Sequence, residues 1–259
     1  MLSNVQQSLA DFYSDLNKIS LPEDAIKYSE PLQKVLTSEK EQAMPLIKLC
    51  PPRVNATEFF RVLQQVAGII REKHPEMGNE LSIIEAALPI EKVEQELFAA
   101  QAFVPDINLL TSQKLDLPPE TFGFLLNHTI KPFIVQYAQK VTQLRDLDQW
   151  LHGNCPVCGS RPTFSLLDKE DGKRYLYCGL CEVKWRFQRL GCPFCLNSES
   201  QFFTAEGMEK YRVYFCDHCH GYIKTLDERK AGGEEIDLFW EDIKTVPLDI
   251  LAIKEGYCK

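Results

Sequence analysis

No stretch of this sequence approaches the roughly 18–20 consecutive apolar residues that a membrane helix needs, so no membrane span is expected. Met1–Asp11 (MLSNVQQSLAD) has neither a basic start nor a continuous apolar core, which argues against a secretion leader. The expected location is therefore cytoplasmic, where thiols stay reduced and serve as metal ligands. A basic excess is also lacking: 29 Lys and Arg stand against 37 Asp and Glu, for a formal charge of −8. Nucleic-acid binding needs a concentrated basic surface, so a nucleic-acid partner is disfavoured. Phosphate loops, hydrolase elbows and dinucleotide fingerprints are missing. His74, His128 and His152 are scattered, with no carboxylate or nucleophile at an informative spacing. No catalytic residue is assigned, and the chain is read as a non-enzyme. Cysteine is nearly absent from residues 1–150, where Cys50 stands alone among prolines as an uncoordinated thiol.

Cysteine is then abundant. Four Cys-x-x-Cys pairs follow: Cys155/Cys158, Cys178/Cys181, Cys192/Cys195 and Cys216/Cys219. A knuckle turn brings residues i and i+3 to one point, so each pair can place two thiolates on one ion. Nineteen residues separate the first two pairs and twenty separate the last two, enough for a hairpin that returns two more sulfurs. The spacing predicts two tetrahedral four-thiolate sites, the first box pairing with the second and the third with the fourth. A crossed pairing would pull the hairpins apart. Four thiolates suit zinc or a single iron equally well, and two knuckles per site match one ion better than a [4Fe–4S] cluster. Each filled site carries a charge of about −2, which takes the loaded protein to roughly −12. His218 and His220 flank Cys219 and are read as bystanders or hydrogen-bond donors rather than ligands. Cys258 is read as inert.

The surroundings of the boxes predict an α+β protein. An all-α domain is expected over 1–151. Within it Val5, Leu9, Phe12 and Leu16 form one helical face that Pro22 ends. Helices are expected at Pro31–Ala43, at Asn79–Leu88 and at Glu91–Phe103, with a turn over Val104–Pro119. Asn55 with Glu58 marks a capped helix start. Pro132 is expected to divide a short helix near Glu120–His128 from a longer one near Pro132–Leu151. A first rubredoxin-like four-cysteine ribbon is expected over 152–190, with strands at Thr163–Leu167, Lys173–Tyr177 and Val183–Phe187 around an Asp171-Gly172 turn. A second covers 191–231, with strands at Gln201–Thr204, Tyr211–Phe215 and Tyr222–Thr225, repeating the first at a period of roughly 37 residues. A helical tail over 232–259, with Pro247 near a helix start, should pack back on the ribbons or on the amino-terminal domain.

Lys173–Arg189 carries five basic residues against Glu182, with Tyr175, Tyr177 and Trp185 interleaved. This segment is read as a docking face for an acidic protein patch, ahead of a plain solvated hairpin face and ahead of a nucleic-acid surface. Lys184, Trp185, Arg186 and Arg189 are the expected partner-binding residues.

The runs Cys155-Pro156-Val157-Cys158-Gly159-Ser160-Arg161-Pro162 and Arg174-Tyr175-Leu176-Tyr177-Cys178-Gly179-Leu180-Cys181-Glu182-Val183-Lys184-Trp185 resemble the two motifs of the formate dehydrogenase accessory protein family, the FdhE group. Cys192, Cys195, Cys216 and Cys219 match that family's second ribbon, and Gly221-Tyr222-Ile223-Lys224, Leu248–Ala252 and Glu255-Gly256-Tyr257 are similar to its later segments. The resemblance implies a cytoplasmic assembly factor that contacts the catalytic subunit of a molybdenum- or tungsten-dependent formate dehydrogenase before export or final assembly. It also implies iron held by the cysteine motifs. Around Cys192-Pro193-Phe194-Cys195 the likeness is weaker, so the same metal at both sites is not implied. The alternatives are a rubredoxin-like iron electron carrier and, third, a zinc-ribbon nucleic-acid binder. Homo-oligomerisation is left open.

Overall fold

The structure, a computed structural model, describes residues 4–28, 43–103, 118–233 and 235–258. The expected helix at Pro31–Ala43 and the turn over Val104–Pro119 lie almost wholly outside the described residues. In chain order the described elements begin with α1 (Asn4–Leu16), β1 (Ile26–Tyr28), the one-turn α2 (Leu46–Leu49) and β2 (Pro52–Val54). Helices α3 (Ala56–Lys73), α4 (Gly78–Ala87), α5 (Lys92–Gln101) and α6 (Pro119–Val141) follow. Then come β3 (Phe164–Leu167), β4 (Arg174–Tyr177), β5 (Lys184–Phe187), β6 (Gln201–Phe203), β7 (Tyr211–Phe215) and β8 (Tyr222–Asp227), and finally α7 (Leu238–Lys244) and α8 (Val246–Lys254). Two compact units result, one drawn from 8–30 and 50–137, the other from 1–7, 31–49 and 138–259. Among the described residues no helix is long and apolar enough to cross a membrane.

The first unit is helical. Asn55 caps α3 by accepting from the amides of Thr57 at 3.0 Å and Glu58 at 3.4 Å. The Glu58 carboxylate does not reach back to complete the box; it pairs with Arg61 at 2.8 Å. One face of α3 is buried: Phe59, Val62, Leu63, Val66, Ala67 and Ile70. Phe59 meets the rings of Phe98 at 6.1 Å and Phe133 at 6.0 Å, so α3, α5 and α6 share one aromatic core. Two elements differ from expectation. Strands β1 and β2 pair antiparallel, Ile26 opposite Val54, adding a small ribbon to a unit read as all-helical. Helix α6 also runs unbroken through Pro132. Its apolar positions Phe122, Leu125, Leu126, Ile130, Phe133, Ile134 and Tyr137 keep helical spacing across the proline and are all buried. Burying each large side chain contributes roughly 2 kcal/mol, and several together exceed the approximately 3 kcal/mol cost of an interior proline. The helix stops at Val141 rather than Leu151, giving way to single 3₁₀ turns at Thr142–Leu144 and Leu147–Gln149.

His128 on α6 sits in a ring of aromatic groups, with Phe124 at 4.5 Å and Phe12 and Tyr13 each at 5.7 Å. Burial, reinforced by Lys131, lowers its pKa to about 4. A histidine depressed in the folded state binds its proton more readily once unfolded. Its contribution is therefore complete above its ordinary pKa near 6.5 and is lost as the pH falls from there toward 4. Between pH 7 and pH 5 this one group should remove about 2 kcal/mol of stability. Denaturant melts of wild type and His128→Phe at both pH values check this. The variant should lose correspondingly less on acidification, and parallel losses would show that His128 is not responsible.

The second unit holds β3 to β8 in one sheet, ordered β5-β4-β3-β8-β7-β6. Each ribbon is an antiparallel triplet, and the six strands fall where the turn signals place them. The ribbons are not separate. Strand β3 pairs parallel with β8, from Phe164 opposite Lys224 to Leu167 opposite Asp227, so the two triplets share one central seam. Ser165 and Thr225 hydrogen-bond across it in the interior.

The carboxy-terminal helices pack on one face of this sheet. Leu248 and Ala252 are buried against Phe164, Leu166, Tyr177, Tyr211, Val213, Tyr222 and Leu226. Asp237 caps α7 by accepting from Phe239 and Trp240 amides, and Pro247 lies in the first turn of α8. Polar links fix the packing. Lys224, fully buried, reaches the carboxylates of Asp242 at 2.7 Å and Asp249 at 2.5 Å. The Tyr222 hydroxyl donates to Asp249 at 2.9 Å.

Candidate metal centres

The four knuckles have one backbone design. In each, the amide four residues after the first cysteine donates to that cysteine's carbonyl: Gly159 to Cys155, Glu182 to Cys178, Leu196 to Cys192 and His220 to Cys216, at 2.8–3.0 Å. Each first cysteine then donates its own amide one residue further on, to the carbonyls of Ser160, Val183, Asn197 and Gly221. Closing so tight a loop requires a left-handed residue at the fourth position. Gly159 takes φ +79° without penalty, whereas Glu182, Leu196 and His220 adopt φ of 63°, 62° and 55°. A side-chain-bearing residue there costs about 1–2 kcal/mol. Three of the four knuckles are thus held against local preference.

These turns bring the sulfurs together as the spacing predicts. Cys155, Cys158, Cys178 and Cys181 form one group and Cys192, Cys195, Cys216 and Cys219 the other, with all Sγ atoms of a group within 4.8 Å of one another. Nearest pairs stand 3.3 Å (Cys155–Cys181) and 3.4 Å (Cys158–Cys178) apart in the first group, and 3.5 Å (Cys192–Cys219) and 3.6 Å (Cys195–Cys216) in the second. A tetrahedral ion with bonds of about 2.3 Å to sulfur sets its ligands about 3.8 Å apart, so both groups fit a single ion that could be held there. No disulfide joins any of the ten cysteines.

The electrostatics point the same way. In the first group burial pushes the Cys155 thiol up, while hydrogen bonds from Cys155, Cys178 and Cys181 hold Cys158 down. In the second, the Asn197 amide lowers Cys195 to about 6 and burial raises Cys192 to about 12. Four adjacent sulfurs cannot all ionise unaided, because each thiolate opposes the next. A divalent cation removes that opposition and makes all four ligands.

The two centres differ in exposure. All four sulfur-bearing residues of the first are buried, whereas Cys195 and Cys219 of the second are half-buried. The first knuckle is also clasped by chain outside its ribbon. Leu46 and Ile47 amides donate to the Pro156 and Val157 carbonyls at 2.9 Å, and Arg145 donates to Pro156 at 3.2 Å. Trp150 donates to the Asn154 carbonyl at 2.7 Å. These links join residues 43–49 and 145–150 to the first ribbon within one compact unit. The second knuckle pair is clasped by the tail: the Cys258 amide donates to His220 at 2.8 Å, and the Tyr257 hydroxyl donates to Asp217 at 2.9 Å.

Of the expected docking residues, Lys184 is exposed with its ammonium 5.2 Å from the Tyr175 ring centre. Arg186 and Arg189 are half-buried, Arg189 donating to the Tyr214 hydroxyl at 3.2 Å. Trp185 is fully buried, its indole donating to the His152 carbonyl at 2.9 Å. That takes Trp185 off any solvent-facing surface: alternation along β5 turns Trp185 and Phe187 inward and Lys184 and Arg186 outward. His218 and His220 are exposed and join neither sulfur group. Cys50 is buried in the helical unit, its thiol 3.3 Å from the Tyr137 hydroxyl, and Cys258 is exposed. The residue that sequence reasoning missed is Arg174. Read as one of a basic surface run, it is fully buried, and burial lowers its pKa to about 10.

A sheet that carries two four-cysteine centres, backed by helices and accompanied by a helical unit, defines a paired-ribbon protein. Residues 154–189 match the family model described as FdhE, central domain. The chain is 35% identical over 142 residues to the Protein FdhE homolog of Aquifex aeolicus (strain VF5), a match covering 52% of this chain and 49% of that one, about half its length. It is 27% identical over 267 residues to Protein FdhE of Escherichia coli (strain K12), covering 97% of this chain and 80% of that protein. The crystal structure of the FdhE protein from Pseudomonas aeruginosa shares the fold, with a TM-score of 0.57 at 20% identity over 97% of this chain and 84% of that one. The resemblance carried by the cysteine motifs is thereby shown, and the chain is similar to the FdhE proteins over nearly its whole length.

Proposed function

We propose that this chain is a cytoplasmic accessory protein, not an enzyme, that binds the catalytic subunit of a formate dehydrogenase and assists its maturation. The match of residues 154–189 to the FdhE central domain, centred on the first sulfur group, is the observation that carries this reading. In it, Cys155, Cys158, Cys178 and Cys181 hold one metal ion and Cys192, Cys195, Cys216 and Cys219 a second. The ribbons at 152–190 and 191–231 are the metal modules, residues 1–151 the helical domain and 232–259 the tail that braces the sheet. The ion, iron or zinc, supplies cross-linking charge at the end of each ribbon. The chain's own residues supply the shape, and the exposed or half-buried cations Lys184, Arg186 and Arg189 present a basic edge to an acidic patch on the partner.

Co-purification of the dehydrogenase catalytic subunit with this chain tests the proposal. The subunit should be retained by wild type and lost from Cys178→Ala combined with Cys181→Ala, together with formate dehydrogenase maturation in a host lacking the native gene. Full maturation with the double variant would sink it.

A second reading, a rubredoxin-like iron electron carrier, is favoured by the half-exposure of Cys195 and Cys219, since electron transfer needs a centre close to solvent. Metal analysis of protein purified without added metal separates the two. A visible iron–thiolate spectrum bleached by reductant supports the carrier, and stoichiometric zinc removes it.

A further inference from the structure

Among the described residues, Arg174 is the one large cation placed wholly inside the cysteine unit without a carboxylate. It lies on β4, in the first ribbon, yet its guanidinium Nη1 donates at 3.0 Å to the carbonyl of Gly191, the residue before Cys192. Its Nε and Nη2 are buried and have no hydrogen-bond partner. The walls around it are the faces of Tyr214 at 4.9 Å and Phe187 at 6.0 Å from the guanidinium carbon. The ionisable groups that bear on it are Tyr214, Cys192 and Arg189, and none is a carboxylate. Burying a guanidinium against neutral groups is unfavourable, and a negative charge close by offsets that cost. Lys224 and Asp227 show how the same sheet treats its other buried charges: each is met by two residues of opposite sign.

Next to Arg174 the negative charge is the second sulfur group. With a divalent ion and four thiolates it carries about −2, and it begins one residue beyond the carbonyl that Arg174 grips. We propose that Arg174 is the counter-cation of the second four-cysteine centre, supplied across the sheet by the first ribbon. The inference rests on the reading of that group as a metal centre. It gives the second centre what its half-exposed position lacks, a fixed positive charge that favours the thiolate form and hence the bound ion. It also ties the ribbons together at a second place. Gly153 lies so close to the Pro193 carbonyl, 1.8 Å from where a Cβ would stand, that no side chain fits there, so the first ribbon's entry and its arginine both abut the third knuckle.

Cobalt(II) titration of the full chain under a competing chelator tests this, with thiol alkylation and mass spectrometry showing which cysteines lose protection. Wild type should hold two ions. Arg174→Met should weaken one ion roughly ten- to a hundred-fold, the range for losing a group that supports metal ligands, and expose Cys192, Cys195, Cys216 and Cys219 first. Arg174→Lys, which keeps the charge, should hold the second ion more tightly than Arg174→Met. A packing role predicts the reverse order, because methionine suits an aromatic-walled interior better than lysine. Equal affinities in all three proteins, or a preference for methionine over lysine, would overturn the proposal. Wild type that takes up cobalt at the first group alone would overturn the reading of the second group as a metal centre, and the inference with it.

Discussion

Replacing Cys155 and Cys158 by serine is expected to unfold the whole six-stranded sheet, not just the first ribbon. With an ion held by these four sulfurs, as proposed, removing two of them would forfeit a metal contribution on the order of 10 kcal/mol, comparable to the total stability of an ordinary domain. The loss spreads because β3 is the only strand of the first ribbon that joins the second, and it does so in the middle of the sheet. Once the first knuckles open, β3 loses β4 on one side and β8 loses β3 on the other. Hydrogen exchange should show amides of Tyr211–Phe215 and Tyr222–Asp227 losing protection together with those of Phe164–Leu167. Retained protection in β7 and β8 would mean that the ribbons fold independently. The same cooperative loss should follow a strong chelator acting on wild type, later for the first centre than for the second, because all the first centre's ligands are buried.

Lys224→Ala is the second large effect. Its ammonium is wholly buried and holds Asp242 and Asp249, the carboxylates through which α7 and α8 meet the sheet. Deleting it removes the cation that two partly buried carboxylates share. The expected cost is about 3–5 kcal/mol, the usual penalty for breaking a buried ion pair from one side. Limited proteolysis should then cut near Leu238–Lys254 well before the strands. Adding Asp249→Asn to Lys224→Ala should restore part of the loss, since one uncompensated charge is gone. A single variant within about 1 kcal/mol of wild type would show that the apolar contacts of Leu248 and Ala252 suffice to hold the tail.

Much of the site was legible because its signals are local. The grouping of the eight sulfurs follows from the four Cys-x-x-Cys spacings, and the strands follow from turn residues such as Asp171-Gly172 and from alternation in runs such as Lys184–Phe187. The Asn55 cap was legible for the same reason. What escaped depends on distant chain or on residues that give no warning. The β3–β8 seam joins segments with neither a short turn nor a crossover pattern between them. Glu182, Leu196 and His220 take the left-handed conformation that Gly159 advertises, but nothing in their side chains announces it. Pro132 is a sound helix-breaking signal, overridden by burial that only the packed unit supplies. Arg174 did leave a trace: alternation along β4 puts it on the same face as Leu176, which lies opposite Trp185, while Arg174 itself lies opposite Phe187. A charge sharing a face with two large apolar partners is a poor candidate for the solvated side.

The parallel seam also bears on how the polypeptide is made. A ribosome delivers β3, β4 and β5 early, while β8 emerges only after the third and fourth pairs of cysteines and β6 and β7. Throughout that interval the nascent chain carries a three-stranded ribbon whose β3 edge, Phe164–Leu167, still awaits β8. Bare edges of apolar strands recruit other strands, including those of neighbouring copies. Metal delivered to the first group during synthesis would set that edge before its partner exists, so early loading is expected to raise, and late loading to lower, the exposure of that edge to neighbouring copies.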